Sequence, residues 1–192
     1  MITTYECASS SWHDHPMTTE QLSPPVGLVH VRRARTRDVV GIETLVNAYA
    51  GERILLAKER VTLYEDVQEF QVGEAPEGAI VGCGALHVLW EDLAEVRTLA
   101  VDPAWKGHGV GHAILDNLEA QARELGISRL FCLTFEVDFF AAHGFRSIDG
   151  TPVEPAVYAQ LLRSMDEGVA EFLDLARVKP NTLGNTRMLR EL

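Results

Sequence analysis

Apolar and polar positions along the chain switch repeatedly between a period of two and a period near 3.6. "LVHVRRA" (residues 28–34) alternates as a strand does, and "RDVVGIETLVNAYA" repeats its apolar residues at helical spacing, with Asp38 where a negative charge favours the helix dipole. "VTLYEDVQEF" predicts a second, shorter helix, after which "FQVGE", the turn "APEG" and "AIVGCGALHVL" read as a hairpin. "LAEVRTLAV" (residues 93–101) is the next strand, stopped by Asp102 and Pro103. "GHAILDNLEAQARELG" carries Ile114, Leu115, Leu118, Ala122 and Leu125 on one helical face and closes at Gly126. The nearly continuous apolar run "RLFCLTF" suits a strand buried on both faces, and "DFFAAHGF" a short helix stopped by Gly144. A helix over residues 155–165 and a last strand in "GNTRMLREL" complete a mixed α/β sheet flanked by helices.

Residues 1–27 are rich in Ser, Thr, His and Pro and show no periodic apolar face, which predicts a disordered leader ahead of one folded domain over residues 28–192. Met17 is a second possible start, and the "HDH" of this stretch reads as solvated tail before it reads as a metal site. A chain of 192 residues, nearly half apolar and with eight prolines, can bury one substantial core. Its formal net charge of −11, with no Lys/Arg-rich block, argues against nucleic acid and anionic membrane as partners, so any anionic ligand must be held locally. Cys7, Cys83 and Cys132 are scattered and odd in number, and the last two sit in apolar runs as packing residues. No apolar run approaches the roughly 18 residues of a membrane span, and no basic-then-apolar signal opens the chain. A reduced, cytoplasmic location is the expectation.

The chemistry concentrates in "WKGHGVGH" (residues 105–112), which joins a strand to the head of a helix. There, unpaired N–H groups converge and the helix dipole contributes roughly half a positive charge. Gly107, Gly109 and Gly111 permit positive φ and close approach of a bulky anion. The string lacks the Gly-Lys-Ser/Thr of a nucleoside-triphosphate loop, and its Gly-x-Gly-x-Gly spacing, late in the chain, departs from a dinucleotide fingerprint. His108 and His112 could share a helix face, yet no Glu stands between them as in a metalloprotease and no third ligand is near, so no metal is expected. The residues alone leave two readings open, an anion cradle or a glycine-rich connection without ligand.

"LAVDPAWKGHGVGHAIL" resembles the acetyl-CoA-binding motif of the GNAT acetyltransferases, Arg/Gln-x-x-Gly-x-Gly/Ala after a strand, and "FFAAHGF" resembles their later aromatic-aromatic-x-x-x-Gly-Phe signature. Lys106 departs from the usual Arg or Gln, keeping the charge but losing the fork geometry. More narrowly, residues 31–192, including "RRARTRDVVGIETLV", "IVGCGALHVL", "AEVRTLAVDP", "RLFCLTF" and "NTRMLREL", are similar to the short N-acetylglutamate synthases that lack an amino-acid-kinase-like domain. The resemblance implies a splayed sheet with pantetheine between the strands at residues 95–101 and 129–135. It places backbone groups of Leu99, Ala100 and Val101 against the pantetheine, and Lys106, Gly107, His108, Gly109, Val110, Gly111 and His112 around the pyrophosphate. The implied reaction moves acetyl from acetyl-CoA to the α-amine of L-glutamate, feeding arginine biosynthesis, with L-glutamine as competing acceptor. A different amine acceptor, or a non-catalytic acyl-CoA sensor, is the alternative, and pairing of exposed strands would give a homodimer.

Strand alternation puts Glu95, Arg97, Leu99 and Val101 on one face and Val96, Thr98 and Ala100 on the other. Glu95 and Arg97 are then either a surface ion pair of little energetic weight, or a proton acceptor beside a carboxylate grip. An acceptor with two carboxylates needs further cations to offset desolvation. Arg187 and Lys58 are the candidates, with Asn185 a weaker one; a solvated strand arginine and an ordinary helix-entry lysine are the plain alternatives. The amine must be neutral to attack a thioester, so a proton acceptor is required. Many relatives place a Tyr as thiolate proton donor where this chain has Phe140; Tyr158 and His143 are the substitutes, although packing suits both.

Overall fold

The computed structural model describes residues 29–50, 58–178, 182 and 184–192. The stretch read as a leader, with Cys7 and Met17, lies outside them. The strands are β1 (His30–Arg33), β2 (Phe70–Glu74), β3 (Ile80–Trp90), β4 (Leu93–Val101), β5 (Arg129–Thr134), β6 (Arg146–Ser147) and β7 (Thr186–Glu191). The helices are α1 (Val39–Ala50), α2 (Arg60–Glu65), α3 (Val110–Glu124), α4 (Val137–Ala142), α5 (Pro155–Leu161) and α6 (Glu167–Phe172). The sheet runs β1-β2-β3-β4-β5-β7-β6, antiparallel except between β4 and β5.

That one parallel junction positions the site. The β4–β5 ladder covers only Leu93 to Glu95 against Arg129 to Phe131, after which the two strands diverge without further pairs. One sheet face packs on α3, whose Val110, Ile114, Leu115, Leu118 and Ala122 join Leu86, Ala94, Val96, Leu130 and Cys132. The opposite face is covered in two parts. Val39, Ile42, Leu45, Val46 and Tyr49 of α1 lie on Phe70, Val72, Cys83, Ala85 and Ala100. Leu161 of α5 and Val169 and Phe172 of α6 lie on Leu93, Phe131 and Leu189.

The alternation expected along β4 fails at Thr98. Cys83 pairs with Ala100 and Ala85 with Arg97, so two β4 residues oppose one on β3, and Thr98 takes a positive φ of 58°. This bulge inverts the parity of the strand. Glu95 and Arg97 face the α1 and α6 side, whereas Leu99 and Val101 turn to the α3 side and Ala100 to the α1 core.

Other boundaries moved as well. The predicted second helix is only α2, followed by a 3-10 turn at Val67–Glu69. The helix expected over residues 155–165 stops at Leu161, Met165 is 92% exposed, and α6 was not foreseen. Leu125, assigned to the buried stripe of α3, is 55% exposed. Asp38 lies in the 3-10 turn before α1, where it accepts the Arg35 N–H at 2.8 Å and pairs with Arg32 at 2.6 Å.

Candidate active site

Where β4 and β5 part, a cavity of about 340 Å³ is lined by Tyr49, Leu99, Val101, Trp105, the glycine turn, Glu136, Phe139 and Phe140. Its floor is the head of α3. Asp102 closes the strand by accepting the Ala104 N–H at 2.8 Å, a 3-10 turn spans Pro103–Trp105, and Gly109 caps the helix with φ of 77°. Gly107 shares that φ, and a Cβ on either glycine would enter open space with no atom within 4 Å. The loop thus presents bare backbone to the cavity at the positive end of a 15-residue helix, a surface suited to a pyrophosphate. Gly109→Ala is expected to cost about 1–2 kcal/mol of stability through its left-handed backbone. It should also weaken coenzyme A about tenfold by placing a methyl against the phosphates, which calorimetric titration would measure.

Of the residues assigned to this half, Leu99, Val101, Lys106, Gly107, Gly109, Val110, Gly111 and His112 line the cavity. Ala100 does not, since the bulge packs it at 4% exposure against α1. The His108 ring folds back onto the Lys106 carbonyl at 2.8 Å. The Val101 carbonyl, expected to meet pantetheine, accepts the Tyr49 hydroxyl, and Lys106 Nζ lies 4.9 Å from the centre of the same ring. Tyr49, Trp105, Glu136 and Phe139 were not anticipated as lining. Phe140 stands at the wall without a hydroxyl to donate. Of its proposed substitutes, His143 lies 2.7 Å from His112, and Tyr158 directs its hydroxyl to the Leu173 carbonyl at 3.5 Å.

On the other sheet face, across the same junction, the ionisable residues of β4 gather partners from distant segments. Arg97 Nη1 reaches both oxygens of Asp166 at 3.1 Å, and Nη2 reaches Glu69 at 3.1 Å. His87, opposite Glu95 on β3, holds Glu69 at 2.7 Å. Burial works against the Arg97 charge, but Glu95, Asp166 and Glu69 together hold its pKa above the ordinary value. Burial likewise opposes ionisation of Glu69 and Asp166; His87 and Arg97 outweigh it at Glu69, and Arg97 with the Val169 N–H at Asp166, leaving both carboxyls below their usual range.

Glu95 behaves oppositely. It is 3% exposed, and burial pushes its pKa up to about 7 despite the nearby Arg97, with Glu171 adding to the rise. Its Oε2 and the Arg97 Nε are buried without a hydrogen-bond partner. One unmatched acceptor thus sits two residues along the strand from one unmatched donor, a pairing suited to an ammonium and a carboxylate. A carboxyl with that pKa can take a proton near neutrality.

Arg187 shares this face and feels the Glu95 charge, although burial lowers its pKa. Its guanidinium lies 4.9 Å from the centre of the Phe131 ring and donates to the carbonyls of Gly150, Glu171 and Phe172 at 3.2, 2.9 and 2.5 Å. Lys58 is drawn to Asp66 at 3.1 Å, a pair that spans α2. Asn185 enters β7 with its N–H on the Thr182 carbonyl at 3.2 Å. The structure therefore brings Glu95, Arg97 and Arg187 onto one face and ties Lys58 into a local ion pair. Glu69, His87 and Asp166 went unseen because no local pattern links them to Arg97; only the sheet register and the α5–α6 turn do.

The profile of the Acetyltransferase (GNAT) family matches residues 42–145. The chain is 63% identical over 161 residues to an amino-acid acetyltransferase of Mycobacterium tuberculosis, covering 83% of this chain and 92% of that relative. Its fold is similar to that of Rv2747 from Mycobacterium tuberculosis, solved in complex with CoA and NLQ, with a TM-score of 0.82 and 62% identity over 85% of this chain and 99% of that one. N-acetylglutamate synthase from Neisseria gonorrhoeae, complexed with coenzyme A and N-acetyl-glutamate, is similar at a TM-score of 0.67 and 26% identity, over 85% of this chain but 35% of that one. The family profile covers more than half of the chain and includes both the diverging strands and the glycine turn, so this protein belongs to the GNAT acetyltransferases, enzymes whose co-substrate is acetyl-CoA.

Proposed function

We propose that this acetyl-CoA-dependent amino-acid acetyltransferase acetylates the α-amine of L-glutamate, as N-acetylglutamate synthases do at the entry to arginine biosynthesis. The observation that carries the reading is the buried pair of unmatched atoms, Glu95 Oε2 and Arg97 Nε, across the splayed β4–β5 junction from the cavity fitted for coenzyme A. It gains support from two relatives solved with coenzyme A, one together with N-acetyl-glutamate and one with NLQ.

In this reading Arg97 holds an acceptor carboxylate and Glu95 takes a proton from the ammonium. Arg187 is the second cation of the same face. Acetyl-CoA supplies the activated acyl carbon, held by the glycine turn and the wall formed by Leu99 and Val101. Backbone N–H groups near Leu99, just past the bulge on a β4 edge that has left β5, would receive the developing oxyanion. An acyl-enzyme through Cys83 or Cys132 does not fit: burial lifts the Cys83 thiol to about 12 and the Cys132 thiol well above its ordinary value. Direct attack by the amine on the thioester carbon follows, and collapse of the tetrahedral intermediate breaks the C–S bond and releases coenzyme A as thiolate, which takes up a proton as free thiol.

L-Glutamine is the second acceptor to consider, because the carbonyls that surround Arg187 could receive an amide N–H that a carboxylate lacks. Isotope-tracked product analysis over a panel of amino acids, a polyamine and a peptide N-terminus tests the assignment. Acetylation confined to glutamate and glutamine is the expected result. Equal turnover of unrelated amines, or none of either amino acid, would overturn it.

A further inference from the structure

We propose that the first turn of α6 is a cover over the acceptor site, latched by Asp166 on Arg97, and that the acceptor enters by displacing Asp166 from the guanidinium with its own carboxylate. The inference rests on the reading that an amino acid binds at Arg97.

Its basis is steric first. A Cβ built on Gly168 would lie 2.8 Å from Arg97 Nη1, 2.8 Å from Glu95 Oε2 and 3.0 Å from Asp166 Oδ1. The backbone of this turn therefore rests directly on the two groups that must meet the acceptor, and no amino acid fits between them while it stays. Any residue larger than glycine would force the Arg97, Glu95 or Asp166 side-chain end, or the turn itself, to shift.

Charge explains the latch. Both oxygens of Asp166 lie on Arg97 Nη1, while Oδ1 also accepts the Val169 N–H at 2.9 Å, so one carboxylate joins the helix start to the site. Glu69 keeps its place on Nη2, and His87 lies 3.8 Å from Asp166. Were an acceptor carboxylate to arrive while Asp166 remained, a single guanidinium would face four carboxyl groups. Exchange of one carboxylate for another leaves the charge of the site unchanged.

The turn is also weakly fastened on its outer side. Met165 is 92% and Leu162 49% exposed, whereas Val169, Ala170 and Phe172 bury the rest of α6. Residues 162–168 can swing with little loss of apolar contact while the helix body stays anchored.

Asp166→Asn keeps the cap on Val169 and removes the charge. The expected result is a KM for the amino acid lowered about fivefold, as for loss of a partly exposed ion pair, with the KM for acetyl-CoA unchanged. The rise of rate with pH should shift to lower pH as well. Glu95 is faced by Arg97 from its own strand, His87 from β3, Asp166 and Glu171 from the α6 segment and Arg187 from β7, with the Cys132 thiol of β5 across the sheet, and the variant removes one of the negative charges. Asp166→Glu should return the KM toward wild type. An acceptor KM that is unchanged or raised in Asp166→Asn, or an unmoved pH profile, would overturn the cover. If the wild-type enzyme accepts another amino acid in place of glutamate and glutamine, the substrate assignment fails and the same comparison is made with that acceptor.

Discussion

Arg97→Ala is expected to raise the KM for the amino-acid acceptor by about a hundredfold, the scale of removing one partner from a buried charged hydrogen bond. Coenzyme A affinity should hardly change, because the glycine turn and the β4–β5 cavity wall lie on the other side of the sheet from the guanidinium. The variant leaves Glu69, Asp166 and Glu95 without the cation they share, so the Glu95 pKa should climb further and the enzyme should need a higher pH to reach its full rate. Arg97→Lys should fall between, since an ammonium restores charge but cannot engage Asp166 and Glu69 through separate fork nitrogens. Steady-state kinetics in both substrates, with calorimetric titration of coenzyme A, separates these effects. An unchanged acceptor KM in Arg97→Ala would place the acceptor elsewhere.

Glu95→Gln should reduce kcat by about a hundredfold or more, the usual scale for a lost general base, and abolish the rise of rate through neutral pH. The same variant should be more stable than wild type in alkaline solution. A carboxyl whose folded-state pKa is about 7, against 4.5 for the ordinary group, is easier to keep protonated than to ionise in the fold. Below the unfolded value both states carry the proton and Glu95 has no effect. As pH rises toward 7 the native state loses stability, and above 7 the deficit approaches about 3 kcal/mol. Thermal unfolding of the two proteins should therefore coincide near pH 4 and diverge at pH 8, with the Glu95→Gln variant melting at the higher temperature. Equal melting at both pH values would mean that Glu95 titrates as an ordinary carboxylate. Retention of an unfavourable carboxylate at this position is a cost in stability that the proposed proton transfer explains.

The glycine turn was legible as a candidate from its own residues because every property that suits it to an anion is local. Positive φ, absence of Cβ and the start of an apolar helical stripe all fall within Lys106 to Leu118. The same holds for the motif "FFAAHGF", for the strand "LAEVRTLAV" and for "RLFCLTF", whose Leu130, Phe131 and Cys132 are buried on both faces although Phe135 is 46% exposed. The acceptor half was legible only as a list of charged candidates. Alternation sets Arg97 beside Glu95, but the partners of Arg97 come from 28 and 69 residues away, and Lys58, equally basic and equally plausible in the string, is held by Asp66.

Period and composition thus specified six of the seven strands, the main helices and the glycine turn at the head of α3, though not β6 or α6, since backbone preference and amphipathic spacing act over a few residues at a time. The folded arrangement was needed for the facing of β4, the splay from β5 and the company that Arg97 keeps. An extra residue at Thr98 inverts which side chains point to α3, and nothing in the alternation of "LAEVRTLAV" announces it, because a bulge is a property of how β3 and β4 pair and not of either strand alone. Likewise, Asp166 meets Arg97 only because α6 docks on Phe131 and Leu189, contacts whose energy depends on the whole sheet being present.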